Sequence, residues 1–438
     1  MQQTRRSFLG AASAAPFFVR NLISAPRYST VRLAAFGAGG MAWSTLDSIS
    51  THPKVTLACV AEVDSARVDR VKQKYPNARL YEDWRQMIEK ESKEVDVACV
   101  GTPDHMHAAQ AVSAMRKGLH VYVQKPLAHD IFEVRSLTRM ARKRKLVTQM
   151  GIQQHSAREY RAATAVIQSG AIGRVKEVHS WSEKTWGDTD PLPTRTDTPP
   201  STLNWDLWLG VATPRPYIGG QYYHPSNWRK RIDFGTATFG DMGCHILDPV
   251  FSALRLTAPI SVRSEGTAPN ATNWALNTEI HYVFPGTGLT EEKTISVSWY
   301  DGIKRPPANI LALTGTRRVP GQGSIFIGTK GAMLLPHTAM PILLPEDQFK
   351  DFPMPQLALE NHYHQWVNAV MGEGQTSTPF DYSGPLTEAV LLGPIATRSP
   401  QKTLLWNSAK LKFKNAPDAT QHVSRQYRSG WHIKGLDA

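Results

Sequence analysis

Cysteine is nearly absent from this chain: 438 residues hold three, Cys59, Cys99 and Cys244. None stands at metal-type spacing from another, which argues against both a disulfide framework and a zinc knuckle. Long apolar runs are missing too. The small-apolar stretch from Ala11 to Val19 falls far short of the ~20 residues that span a bilayer, and no later segment qualifies, so membrane insertion is not expected. Concentrated basic charge is also lacking. The formal net charge is +13, yet the longest Lys/Arg run is Arg142-Lys143-Arg144-Lys145, with no aromatic-interleaved stripe and no nucleic-acid motif. Such a run reads as the basic end of a helix, where cations complement the helix dipole. No nucleic-acid partner is expected.

What is present starts at Val31. The segment Val31-Arg32-Leu33-Ala34-Ala35-Phe36-Gly37-Ala38-Gly39-Gly40-Met41-Ala42 is an apolar strand running into a glycine-rich turn and then a helix. Gly37 suits the tight turn, Gly39 lets the backbone approach a pyrophosphate, and Ala42 is small where helix meets strand. The helix start, with Gly40 and Met41, offers unpaired amides to phosphates. About twenty residues on, a second apolar run, Val55 to Val60, ends in Ala61-Glu62-Val63-Asp64. Glu62 is the expected ribose ligand, with Asp64 its rival. A carboxylate there accepts from both ribose hydroxyls and repels a 2′-phosphate, so NAD is expected over NADP.

Strands alternating with helices continue to Gln149, which implies a parallel sheet with right-handed crossovers. From about Gly151 the rhythm shifts to clustered strands with a few helices. The expected fold is therefore α/β: an N-terminal Rossmann doubly wound parallel sheet over 28–150, then a C-terminal α+β domain over 151–438 with a large open, mostly antiparallel sheet and its aromatic tail packing back on the body. An open sheet face predicts a homo-oligomer, at least a dimer. Before the fold, Thr4-Arg5-Arg6-Ser7-Phe8-Leu9-Gly10 reads as a twin-arginine export address within a leader over 1–27. That predicts a periplasmic or otherwise exported protein. Since no sizeable pool of free dinucleotide exists there, the cofactor should be tightly bound.

Two further segments carry a resemblance: Gly101-Thr102-Pro103-Asp104-His105-Met106-His107, and Gly118-Leu119-His120-Val121-Tyr122-Val123-Gln124-Lys125-Pro126. With Gly240-Asp241-Met242-Gly243-Cys244-His245-Ile246-Leu247-Asp248 and the tail, the chain resembles the Gfo/Idh/MocA family of oxidoreductases. The resemblance implies that Lys125 is catalytic, although the family's glutamate before it is Gln124 here. It also implies that Asp241 and His245, four apart on one helical face, complete the machinery. Thr102, Pro103 and His107 match the family's positions for the nicotinamide half of the cofactor. Oxidising a secondary alcohol needs a base, a donor that steadies the alkoxide and a hydride acceptor. His245 is the expected base, oriented or charge-tuned by Asp241, and Lys125 the donor. No metal is expected, the competing reading being a site built from Asp241, His245 and Asp248, with His362 or His364 as a remote ligand.

A carbohydrate substrate is expected from the aromatic and polar side chains of the second domain: Trp181, Trp186, Trp205, Trp208, Tyr222, Tyr223, His224, Trp228 and Arg229. Tyr223, His224 and Trp228, with Gln154 after the last Rossmann strand, are the named substrate candidates. Function is read as NAD-dependent hydride transfer at a secondary hydroxyl of a sugar, glycoside or cyclitol. One alternative uses transient oxidation to cleave a glycosidic bond by elimination; another is a non-catalytic protein that merely retains NAD.

Overall fold

The computed structural model describes residues 29–436, so the expected leader lies outside the described residues. Six strands form the first sheet: β1 (Val31–Phe36), β2 (Val55–Ala61), β3 (Arg79–Tyr81), β4 (Val97–Val100), β5 (His120–Gln124) and β6 (Thr148–Gly151). Their order is β3-β2-β1-β4-β5-β6 and every pair is parallel. The chain reverses its winding direction between β1 and β4, which opens a crevice at the strands' carboxyl ends. The central strands are buried along their whole length, as helices on both faces require.

A second sheet of nine strands runs in the order β13-β12-β11-β7-β10-β9-β8-β14-β15. Its members are β7 (Val175–Ser182), β8 (Ser261–Glu265), β9 (Glu279–Pro285), β10 (Thr294–Asp301), β11 (Gln322–Gly328), β12 (Ala332–Pro336), β13 (Ile342–Leu344), β14 (Leu404–Asn407) and β15 (Lys412–Phe413). Only β7 and β10 pair in parallel; all other neighbours are antiparallel. The five strands from β11 onward carry little alternation for the sequence to show: β11 and β12 are buried on both faces, and β13, β14 and β15 are only two to four residues long. The buried helix Phe380–Thr397 was missed as well, since it carries Pro385 and Pro394 internally. Proline normally breaks a helix, but this one is wrapped by apolar neighbours on all sides and its near-zero amphipathicity leaves no periodic signal.

The tail closes on the first sheet's helices. Tyr427 donates its hydroxyl to Glu133 at 2.7 Å, and Trp431 packs on Trp84 and beneath the Arg85 guanidinium. The basic run is the end of the helix Ile131–Arg144, whose start Asp130 and Glu133 cap reciprocally.

Candidate active site

The carboxyl edge of the parallel sheet and the second domain enclose a cleft of about 610 Å³. On the sheet side, the β1 turn, Glu62 after β2, Thr102 and Pro103 after β4, and Lys125 after β5 all line it. Gly37 has φ +92°, and a Cβ there would stand 2.9 Å from that of Ala42. The tight turn and small neighbour therefore require each other. Gly40 has φ +52° with nothing within 4 Å of where its Cβ would stand, so open space lies over the first turn of the helix Gly40–Ser50. A dinucleotide's pyrophosphate fits that cradle. Gly39, Met41 and Ala42 line the same wall.

Glu62 and Asp64 have separate tasks. Glu62 lines the cleft and accepts from the amides of Ala38 (2.7 Å) and Asp64 (3.0 Å). Burial raises its carboxyl above the ordinary range despite those amides. Asp64 caps the following turn, pairs with Arg67 (3.0 Å) and contacts His224 (3.1 Å), and is not part of the lining.

Lys125 meets the second domain directly. Its amine donates to Asp241 Oδ1 at 2.7 Å and to the Asp241 carbonyl at 2.6 Å. The carboxylate that holds the lysine is thus Asp241 rather than residue 124. Gln124 also lines the cleft, but its amide donates to the Thr45 hydroxyl at 2.7 Å and makes no hydrogen bond with the Lys125 amine. Asp241 also accepts from Arg229 (3.1 Å), Trp186 (2.9 Å) and Lys184 (3.4 Å). Burial would raise its pKa, but the charges of Lys125, Arg229 and Lys184 outweigh that and hold the carboxyl well below the usual range.

Asp241 and His245 sit one turn apart on the helix Ala237–Ile246, and both line the cleft. Gly243 lets this helix close in, for a Cβ there would stand 2.4 Å from the Phe239 ring and 3.3 Å from Val390. No hydrogen bond joins Asp241 to His245, so Asp241 does not orient the imidazole; its charge acts on the ring instead, raising the pKa against the burial that lowers it. His245 Nδ1 is buried without a partner. Burial and the neighbouring Lys125 charge hold the ring well below its ordinary pKa, so it is neutral at pH 7. His337, unread in the sequence, lines the cleft with its ring centroid 5.9 Å from that of His245, and accepts or donates at 2.6 Å with the Tyr160 hydroxyl. Only its arrival from the β12–β13 connection brings it here, and no local motif marks it. His107 sits between the loops after β4 and β5, its Nδ1 2.8 Å from the Pro126 carbonyl and its Nε2 2.8 Å from the Thr102 carbonyl, and as a neutral ring it donates to one of the two at a time. Burial pushes its pKa down to about 4.

The substrate candidates divide. Trp228 lines the cleft with Arg229 over its ring at 4.3 Å. His224 also lines it, but at the β2 tip beside Asp64 and Arg67. Tyr223 is corrected to a core residue, 2% exposed and packed among Trp205, Trp208 and Phe234. Gln154 lies in the short turn Gln153–Ser156 and is not among the cleft-lining residues. Of the nine second-domain side chains named from sequence, Trp186, Trp208, His224, Trp228 and Arg229 face the cleft. Asp248 starts the next helix and pairs with His155 (2.8 Å) and the Tyr382 hydroxyl (2.6 Å). Among the described residues no group of three or more His, Cys, Asp or Glu is placed to hold a metal ion.

A doubly wound nucleotide sheet joined to an open mixed sheet, with lysine, aspartate and histidine converging between them, defines a two-domain dinucleotide-binding architecture. Residues 31–152 match an oxidoreductase family with an NAD-binding Rossmann fold, and residues 166–285 match the same family's C-terminal alpha/beta domain. Together these cover more than half of the chain, which belongs to the Gfo/Idh/MocA oxidoreductase family. Curated relatives include 1-carboxy-3-chloro-3,4-dihydroxycyclo hexa-1,5-diene dehydrogenase of Comamonas testosteroni, 26% identical over 42% of this chain and 44% of that protein. Levoglucosan dehydrogenase of Pseudarthrobacter phenanthrenivorans is 24% identical over 38% and 34%. Alpha-N-acetylgalactosaminidase of Shewanella oneidensis is 29% identical over 25% of each. The chain thus spans less than half the length of these relatives. In fold it is similar to the WlbA dehydrogenase of Bordetella pertussis, solved with NADH and UDP-GlcNAcA (TM-score 0.60, 14% identity, 86% of this chain and 99% of that one). It is likewise similar to aldose-aldose oxidoreductase of Caulobacter crescentus (TM-score 0.55, 15% identity, 86% and 100%).

Proposed function

We propose that this protein is an NAD-dependent oxidoreductase that moves hydride to or from a secondary hydroxyl of a sugar, glycoside or cyclitol. The observation that carries the reading is that the Lys125 amine and the His245 imidazole, from different domains, line the same cleft as the glycine turn. NAD, when bound, supplies the hydride acceptor or donor. Gly37, Gly39, Gly40, Met41 and Ala42 would hold its pyrophosphate, Glu62 its ribose hydroxyls, and Thr102, Pro103 and His107 the wall at its nicotinamide half. Glu62 favours NAD over NADP by charge repulsion.

Lys125, fixed by Asp241, donates a hydrogen bond to the substrate oxygen and stabilises developing alkoxide charge. Neutral His245 accepts the hydroxyl proton. Burial and the nearby Lys125 charge keep the ring unprotonated and so free to accept that proton. The test is to denature the purified protein, identify the released dinucleotide, and follow the bound cofactor's absorbance against a panel of sugars, glycosides and cyclitols. Absence of dinucleotide, or of any absorbance change across the panel, overturns the reading.

Similarity to an α-N-acetylgalactosaminidase supports a second reading, cleavage of a glycosidic bond by transient oxidation and elimination. Product analysis separates them: a dehydrogenase accumulates keto sugar, whereas the cleaving cycle releases free sugar at constant NAD. We further propose export by the twin-arginine route with NAD tightly bound, and homo-oligomerisation through the open sheet. Replacing Arg5 and Arg6 by lysine should trap the chain in the cytosol, and a monomeric mass in solution would refute the oligomer.

A further inference from the structure

We propose that the substrate end of the cleft is built for a carboxylate-bearing sugar, a uronate or related sugar acid, and that Arg229 and Lys184 recognise its charge. This rests on the hydroxyl-oxidising reading above and names its substrate class. Three cations, Lys125, Lys184 and Arg229, surround one carboxylate, Asp241. The other titratable groups lining this end do not restore balance. Asp104 is buried behind a hydrogen bond from the Thr236 hydroxyl and its pKa is pushed up to about 7, so it carries only partial charge. His245 and His337 are both held neutral by burial and nearby lysine charge. Glu62, Glu82 and Arg67 line the nucleotide end instead. The excess is positive, and an oxidised nicotinamide ring would increase it.

Asp241 is already saturated. Oδ1 accepts from Lys125 and Arg229, while Oδ2 accepts from Trp186 and Lys184. Donor capacity beyond it remains on the two outer cations. The Lys184 amine is 3.4 Å from the carboxylate, the longest of the four contacts, and its side chain is 42% exposed. Arg229 donates through Nε to Asp241 and through Nη1 to the Ser226 carbonyl, and its Nη2 donates no hydrogen bond among the described residues. Its guanidinium lies 4.3 Å from the Trp228 ring centroid and 5.4 Å from that of Trp186. Indole stacking holds the planar fork in one orientation, which suits a planar carboxylate better than a point charge would. A sugar ring alongside finds the same two indoles as apolar surface.

The experiment uses NAD-loaded protein and calorimetric binding of matched probes: glucose against glucuronate, galactose against galacturonate, and glucose 6-phosphate as a non-planar anion. The expected result is that at least one uronate binds ~10-fold or more tightly than its neutral partner and the phosphate. The preference should shrink with added salt and collapse to within ~3-fold in Arg229→Gln and Lys184→Gln proteins that retain NAD and wild-type circular dichroism. Neutral sugars that bind as well as the uronates and reduce the bound NAD would overturn this inference while leaving the oxidoreductase reading intact. Binding of none of these probes overturns this inference, whereas the oxidoreductase reading falls only on the dinucleotide and absorbance test given above. Preference for the phosphate, or a uronate preference that survives both substitutions, also overturns it.

Discussion

Replacing Asp241 by asparagine keeps the side chain's shape but leaves three cations facing one another. The Lys125 pair is the costly one, with both partners about nine-tenths buried at 2.7 Å. Its gross attraction at an effective dielectric near 20 is about 6 kcal/mol. Desolvation offsets much of this in the intact pair, but removing one partner leaves the other charge buried and alone, a loss of about 3–5 kcal/mol. Lys184 is too exposed, at 42% of its side chain, to add more than about 1 kcal/mol. At an unfolding entropy of ~2.1 cal/mol/K per residue, a chain of 438 residues shifts its melting temperature by about 1 °C for each kcal/mol, so Asp241→Asn should melt roughly 3–6 °C lower. The pH sign follows from linkage. Asp241 has its folded pKa depressed, so its contribution is complete above the unfolded value near ~3.9 and erodes only as pH falls through more acidic values. The variant should therefore lose stability at neutral pH and converge on wild type in strong acid. Thermal unfolding followed by circular dichroism from acid to neutral pH measures both. A variant melting within about 2 °C of wild type at pH 7 would mean that the cations are solvated, and the ion-paired site described here would be wrong.

Lys125→Met should lower kcat/KM at least ~100-fold with bound NAD unchanged, as read by single-turnover absorbance and dinucleotide content. Glu62→Ala should weaken NAD ~10-fold and narrow its advantage over NADP, measured by titrating each. Asp104, with its pKa raised to about 7, makes the fold less stable as pH rises from about 4 to 7, because the unfolded chain ionises first. Asp104→Asn should remove that slope and be more stable at pH 8 by roughly 4 kcal/mol in denaturant titrations. Tyr223→Ala should cost about 3–5 kcal/mol of stability, whereas Gln154→Ala should leave substrate affinity unaltered.

Much of the cofactor half was legible because its determinants are local. A strand, a glycine turn and a helix lie within twelve residues, and Thr102-Pro103 and Lys125 follow directly on strands whose apolar runs announce them. The helical spacing of Asp241 and His245 was equally readable. Their partners were not. Asp241 was expected to orient or charge-tune His245; it makes no hydrogen bond to that ring and binds Lys125, 116 residues away in sequence. His337 and Lys184 carry no motif, and the aromatic candidates could not be sorted into cleft and core, since burial depends on what the fold lays over each ring.

Backbone conformation and periodicity are properties of neighbouring residues, so the chain's order of strands, its left-handed glycine turn and the nucleotide-binding character of its first half were written in consecutive letters. Which charges meet, and how many, is a property of distance in space. Only the closing of the second domain over the sheet decided that Lys125, Lys184 and Arg229 would crowd one carboxylate and that His224 would stand at the β2 tip. Electrostatic energy falls with separation in space and takes no account of separation along the chain.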